Sequence, residues 1–271
     1  MRRAAVAGQF YPSNDKELEI LIRELFLHPL GPGNIPTLSP DGPRKIIGGV
    51  VPHAGYIFSG PVAAHFYHAL AKDGFPETFV ILGPNHYGVG SGIAVATEDF
   101  KTPFGVAKID RELAKEIARD IVDMDNYAHR YEHSIEVQLP FLQFFKRNIK
   151  FVPISMLLQE YEIAIEVGRI IRDAIGGRDA VVIASSDFSH YVPKDWAYKH
   201  DALAIEKIVE GDIKGLYKVL AEHRITMCGY GPVAAMLEAT KGKAKILKYA
   251  TSGDVQPMGD VVGYAAIKVE R

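Results

Sequence analysis

Three times in this 271-residue chain an apolar, β-branched run stops abruptly at a polar turn that carries a histidine, and that repetition restricts the fold more than any other feature. Ile46 to Val51 runs into Pro52 and His53, Thr78 to Leu82 into Gly83-Pro84-Asn85-His86, and Ala180 to Ala184 into Ser185-Ser186-Asp187-Phe188-Ser189-His190. Short apolar runs bounded by turn residues read as buried strands, and Pro52 ends the first ladder because proline has no N–H to donate. A histidine just past such a strand has an apolar floor beneath it and open space above, which is where open α/β sheets hold their ligands. A fourth polar turn, Met227-Cys228-Gly229-Tyr230-Gly231-Pro232, opens a predicted helix with the chain's only cysteine.

Helical patterns separate these runs. Ser13-Asn14-Asp15 caps a helix to about Leu27, with Leu18, Leu21, Ile22, Leu25 and Phe26 on one face. Ser59-Gly60-Pro61 starts a second helix to about Lys72, and Asp110 caps a third to about Val122. Further helices are expected over Tyr161 to Ile175, Trp196 to Glu210, Ile213 to Glu222 and Pro232 to Thr240. Ile93 to Thr97, Ile149 to Ile154, Lys245 to Ala250 and Val261 to Val269 complete the strands, while the Pro- and Gly-rich stretch from His28 to Pro43 reads as a surface loop. Strands alternating with helices predict a single α/β domain over residues 1–271, a mixed β-sheet flanked by helices.

Composition removes several functions. With 31 basic and 33 acidic residues there is no charge excess to track a nucleic-acid backbone, so no nucleic-acid partner is expected. One cysteine excludes an internal disulfide framework and fits a reducing compartment, the cytoplasm. Arg2-Arg3 is followed by an apolar segment too short for a signal peptide. His53, Ser59 and His65 interrupt the longest apolar reaches, so no membrane span is expected. The glycines from Tyr87 to Gly92 lack the order and setting of a dinucleotide fingerprint.

The polar turns hold the chemistry. Two neutral imidazoles and a thiolate make a donor set for a borderline transition metal, and His53, His86 and Cys228 could form it. Each also has a plain explanation, since turn histidines commonly just hydrogen-bond and a lone cysteine is commonly a small buried hydrophobe. Asp187 and His190 are candidates for acid and base, a neighbouring carboxylate being able to fix a histidine's tautomer; a turn-capping Asp187 beside an exposed His190 is the alternative. Glu132, His133 and Glu136 open a predicted helix toward Lys146 that Pro140 would kink, and His133 and Glu136, three residues apart, can face one pocket or simply solvent. A cysteine hydrolase is a further possibility. Cys228 would then be nucleophile, with His190 or His133 as base oriented by Asp187 or Glu136.

Six ordered motifs resemble the Memo family: Ala7 to Pro12, Pro52 to Tyr56, Leu82 to His86, Glu132 to Pro140, Ser185 to His190 and Cys228 to Pro232. The likeness runs from residue 7 to the Ser252-Gly253-Asp254 turn. It implies a fold similar to the class III extradiol dioxygenases, which cleave catechol rings with non-haem iron(II). By that match His53 and His86 are the histidine ligands, Cys228 stands where those enzymes carry glutamate, His190 is the catalytic histidine, and His133 and Asp187 line the cleft. A soft thiolate in place of a hard carboxylate favours copper or zinc and opens the site to oxidation, so ring cleavage does not transfer with the fold. The resemblance implies a metal cofactor, iron or copper first and zinc second. It also implies AMMECR-type and radical-SAM partners, and a second role as an adaptor that binds a peptide or protein in the same cleft.

Overall fold

The structure, a computed structural model, describes residues 1–271. In chain order its strands are β1 (Ile46–Val51), β2 (Thr78–Pro84), β3 (Ile93–Val95), β4 (Phe100–Thr102), β5 (Gly105–Ile109), β6 (Asp123–Met124), β7 (Lys150–Met156), β8 (Ala180–Ser185), β9 (His190–Pro193), β10 (Lys243–Thr251) and β11 (Asp260–Glu270). The helices are α1 (Asp15–Leu27), α2 (Tyr56–Asp73), α3 (Arg111–Ile117), α4 (Leu139–Phe145), α5 (Tyr161–Ile175), α6 (Lys194–Glu210), α7 (Ile213–His223), α8 (Tyr230–Thr240) and α9 (Ser252–Val255).

The apolar runs become the centre of one mixed sheet. β1, β8, β2 and β7 lie side by side and parallel, and every residue of β2 and β8 is buried. Such strands carry no alternation because helices cover both faces. Antiparallel β11 and β10 extend the sheet beyond β1, and antiparallel β3 extends it beyond β7. The glycine pair in β1 shows how close the cover comes. A side chain on Gly48 would meet Met236 and Thr240 of α8, whereas one on Gly49 would collide with Phe66 of α2. Neighbouring strand residues point to opposite faces, so α2 and α8 pack on opposite sides of the same strand. α1 and α4 join α2 on its side, α5 joins α8 on the other, and one continuous apolar core runs through both layers. No helix is long and apolar enough to cross a membrane.

Several expectations change. α2 begins at Tyr56 rather than Ser59. α3 ends at Ile117, well short of Val122, because the chain turns through Asp120 at φ 55°. The segment from Tyr127 to Ile135 is not helical; a 3-10 turn over Glu136–Gln138 leads into α4, whose first turn holds Pro140. Proline's missing N–H would be unpaired in a first turn anyway, so Pro140 starts the helix instead of kinking it. The β4–β5 hairpin and the short strands β6 and β9, which pair with β3 and β11, have no counterpart among the expected strands.

Candidate metal centre

All four parallel strands end at the same edge. Val51 pairs with Ser185 and Leu82 with Ala184, so the turns carrying His53, His86 and Asp187 leave the sheet side by side. Cys228 comes from the other end of the chain, on the turn before α8. A side chain on Gly229 would collide with the Ser185 carbonyl, so glycine is what lets that turn lie against the end of β8. One donor atom from each of His53, His86 and Cys228 lies within 4.8 Å of the others. Cys228 Sγ is 3.2 Å from His53 Nε2.

Hydrogen bonding decides which imidazole nitrogens are free. Ser185 Oγ donates to the Ser134 carbonyl at 2.6 Å and accepts from Gln138 Nε2 at 2.7 Å. Its single proton is therefore committed, and the 2.9 Å contact with His53 Nδ1 must be an N–H donated by the ring. That leaves the lone pair of His53 on Nε2, beside the sulfur. For His86 the partner is a carboxylate. Its Nδ1 donates to Glu132 Oε1 at 2.9 Å and its backbone N–H to Oε2 at 2.6 Å, while the N–H groups of His133 and Ser134 donate to Oε1 at 2.8 Å each. Burial opposes ionisation of Glu132, but the hydrogen bond and charge of His86 prevail and hold it well below the usual carboxylate range. A carboxylate that orients a ligating histidine through Nδ1 is the usual support of a metal site. Nothing local in the sequence marks Glu132 beyond its place next to His133; only the fold brings it under His86.

Burial, then the neighbouring His133 and His86 rings, pushes His53 well below its ordinary range. It is thus held neutral, the form that coordinates a metal. His133 stacks on His86 with ring centres 4.7 Å apart. Its Nδ1 is buried without a hydrogen-bond partner, 3.5 Å from Glu132 Oε1, and burial lowers its proton affinity as well. For Cys228, burial and then the Asp187 carboxylate push the thiol far up, even though its sulfur accepts the Asp187 N–H at 3.3 Å. Burial and Asp187 thus work against the free thiolate that the cysteine-hydrolase alternative requires.

Asp187 and His190 do not orient one another. Asp187 Oδ1 accepts the backbone N–H of His53 at 2.8 Å, so the carboxylate clasps the His53 turn, and burial pushes it up to about 6. His190 Nδ1 donates to the Thr226 carbonyl at 2.8 Å, and its N–H donates to Thr226 Oγ1 at 2.7 Å. That bond, rather than Asp187, fixes the orientation of the ring and leaves Nε2 without a partner in the protein. Glu136 faces away from the cleft and from His133. It is fully buried, paired with Arg2 at 2.6 Å, and accepts the Tyr11 hydroxyl and the N–H groups of Ala5 and Val6. Its role is to pin the chain's first residues under the site.

The fold and the cleft together define a mixed-sheet α/β protein with a His-His-Cys donor cluster at the carboxyl ends of its parallel strands. A Memo family profile, described as Memo-like protein, matches residues 2–268, and the chain belongs to that family. A MEMO1 family protein of Methanopyrus kandleri is 48% identical over 281 residues, covering 100% of this chain and 99% of its own. One from Methanothermobacter thermautotrophicus is 47% identical over 275 residues, covering 98% and 99%. Among solved structures, an uncharacterized protein from Escherichia coli K12 superposes with a TM-score of 0.58 at 16% identity, covering 82% of this chain and 99% of its own. That likeness concerns the fold alone.

Proposed function

We propose that the cleft is a metal centre in which His53, His86 and Cys228 hold a non-haem iron or copper ion, with zinc as the redox-inert alternative, and that the protein is a metal-dependent oxidoreductase. The observation that carries this reading is the pair of Nδ1–H donations: His53 and His86 each spend Nδ1–H on a fixed acceptor, so Nε2 is the nitrogen each has left for a ligand, and His53 Nε2 already lies 3.2 Å from the Cys228 sulfur. The donor set fits one ion, since ligands at roughly 2.0–2.3 Å from a common metal stand about 3.3–3.7 Å apart and the sulfur already lies 3.2 Å from His53 Nε2. When bound, such an ion supplies Lewis acidity and one-electron chemistry. The chain's own residues then do the rest: Glu132 orients His86, Asp187 holds the His53 turn, and His190 accepts or returns a proton at Nε2. The test is metal analysis of protein purified without a histidine tag. Iron, copper or zinc at about one ion per chain, lost in Cys228→Ser and His53→Ala, is the expected result. Failure of all three metals to copurify or to bind on addition overturns it.

A second reading, the adaptor that uses the cleft for a peptide or protein, is favoured by the apolar side chains beside the donors. Ile57, Tyr87 and Tyr191 are exposed within a few residues of His53, His86 and His190, Tyr191 by 79%. The two readings separate at His190→Ala, which abolishes turnover but leaves partner capture intact. By family resemblance the partners to test in a pull-down are AMMECR-type and radical-SAM proteins.

A further inference from the structure

A cavity of about 770 Å³ lies beside the donor cluster rather than on it, between the first residues of the chain and the loop before Glu132. Its walls are bound into the same scaffold. Tyr87 follows His86, Tyr131 precedes Glu132, and the Arg2 guanidinium donates to the carbonyls of His129 and Glu132. The volume falls in the range of small-molecule sites, roughly 300–1,000 Å³.

The groups facing this cavity are unbalanced in a specific way. Arg3 and Arg130 are exposed and form no ion pair with any carboxylate, and Arg130 lies over the Tyr131 ring at 5.5 Å. Arg2, by contrast, is spent on Glu136. The single wall carboxylate, Glu98, is paired with the terminal amine at 3.2 Å. Tyr87, Tyr127 and Tyr131 are each about half exposed, at 51%, 52% and 47%; their hydroxyls have no partner in the protein, and the rings of Tyr87 and Tyr131 stand 6.2 Å apart. The cavity thus offers two free cations, three free hydroxyls and three aromatic faces. The complement of that wall is a planar molecule carrying negative charge. Guanidinium groups bind phosphate or carboxylate in a fork, and tyrosine faces stack on aromatic rings.

We infer that this cavity is a binding site for an aromatic anion about the size of a mononucleotide, its phosphate or carboxylate held by Arg3 and Arg130 and its ring packed against Tyr87 and Tyr131. The site is independent of whether the neighbouring donors hold a metal. Two sources of such an anion, a nucleotide and an aromatic acid, share the chemistry and are separated by the probes.

Calorimetric titration of the full chain with AMP, adenosine, inorganic phosphate and 4-hydroxybenzoate tests it. AMP or 4-hydroxybenzoate binds with a Kd below about 1 mM, and the better of the two identifies the source. Adenosine and inorganic phosphate bind at least about tenfold more weakly than the aromatic anion, because each supplies only half of the contact. The Arg3→Ala/Arg130→Ala double variant loses at least about tenfold in affinity, Tyr131→Ala weakens binding of the ring, and both variants keep the metal content of the unaltered protein. Both arginines are exposed, so the double variant folds. No binding of either aromatic anion at several millimolar overturns the inference. So does inorganic phosphate binding as tightly as AMP, or binding unchanged in the double variant.

Discussion

Glu132→Gln is the substitution that tests the site's construction most directly. The native carboxylate accepts from His86 Nδ1, from the N–H groups of His133 and Ser134, and from the His86 backbone N–H. An amide has one accepting oxygen and one donating NH₂. With the oxygen at the Oε1 position three donors stay satisfied, but the NH₂ then meets the His86 backbone N–H; the reverse orientation sets it against the other three. In the better case one charge-assisted bond is lost and a donor faces a donor, costing roughly 1.5–3 kcal/mol. At about 2–4 °C per kcal/mol for a chain of this size, Tm falls by roughly 3–12 °C. The remaining bond to His86 Nδ1 is neutral instead of charged, so the imidazole is less basic and metal affinity falls about 10–100-fold. Competition against a chromophoric chelator measures the affinity, and a thermal scan of the metal-free protein measures the stability. Metal affinity within twofold of the unaltered protein would refute the claim that Glu132 sets the ligand's orientation.

Other outcomes follow from the same geometry. Metal-free Cys228 should react with iodoacetamide at pH 8 at least about a hundredfold more slowly than free cysteine, since burial and Asp187 keep the thiol protonated; Asp187→Asn should speed it, and fast labelling of the unaltered protein would show the thiol to be a nucleophile after all. Asp187 binds its proton more tightly folded than unfolded, about 6 against 3.8. Its protonated form therefore favours the native state at low pH, and stability from this group declines as pH rises from about 4 to 6, by up to roughly 3 kcal/mol. Urea titrations of the metal-free protein across that window should show the decline, and Asp187→Asn should flatten it. Glu136→Gln leaves the buried Arg2 guanidinium without its counter-charge and should cost about 3–5 kcal/mol in the same assay.

The parts of the fold that could be read in advance are those whose residues carry their own signal. β1, β2 and β8 announce themselves as β-branched runs with hard stops, and α5 matches its predicted limits of Tyr161 and Ile175 because its apolar face keeps helical spacing throughout. The loop from Tyr127 to Ile135 gave the opposite result. It contains helix-compatible residues, yet Asp125 and Glu132 side chains take the backbone N–H groups of Ser91, Tyr127, His133 and Ser134 and hold the segment in turns. The β4–β5 hairpin alternates correctly, with Phe100, Thr102, Ala107 and Ile109 buried, but its strands are too short to stand out. At the candidate site, the proximity of His53 and His86 could be anticipated from strand ends that share an edge, whereas Cys228, on the turn before α8, carries no such signal. The supports could not be anticipated either. Ser185, Gln138 and Thr226 act through hydrogen bonds across 132, 47 and 36 residues of sequence, and no spacing rule reaches that far.

The 175 residues between His53 and Cys228 have a bearing on how the chain matures. During translation the first two histidines leave the ribosome long before the cysteine does, and the intervening strand β8 must insert between β1 and β2 before their ends can approach. A nascent chain halted anywhere ahead of α8 holds only fragments of the donor cluster, with the affinity of isolated imidazoles. Under the proposed metal-centre reading, ion capture would be a late event, and retention of an ion would report that synthesis has passed residue 228 and that the middle of the sheet has zipped shut.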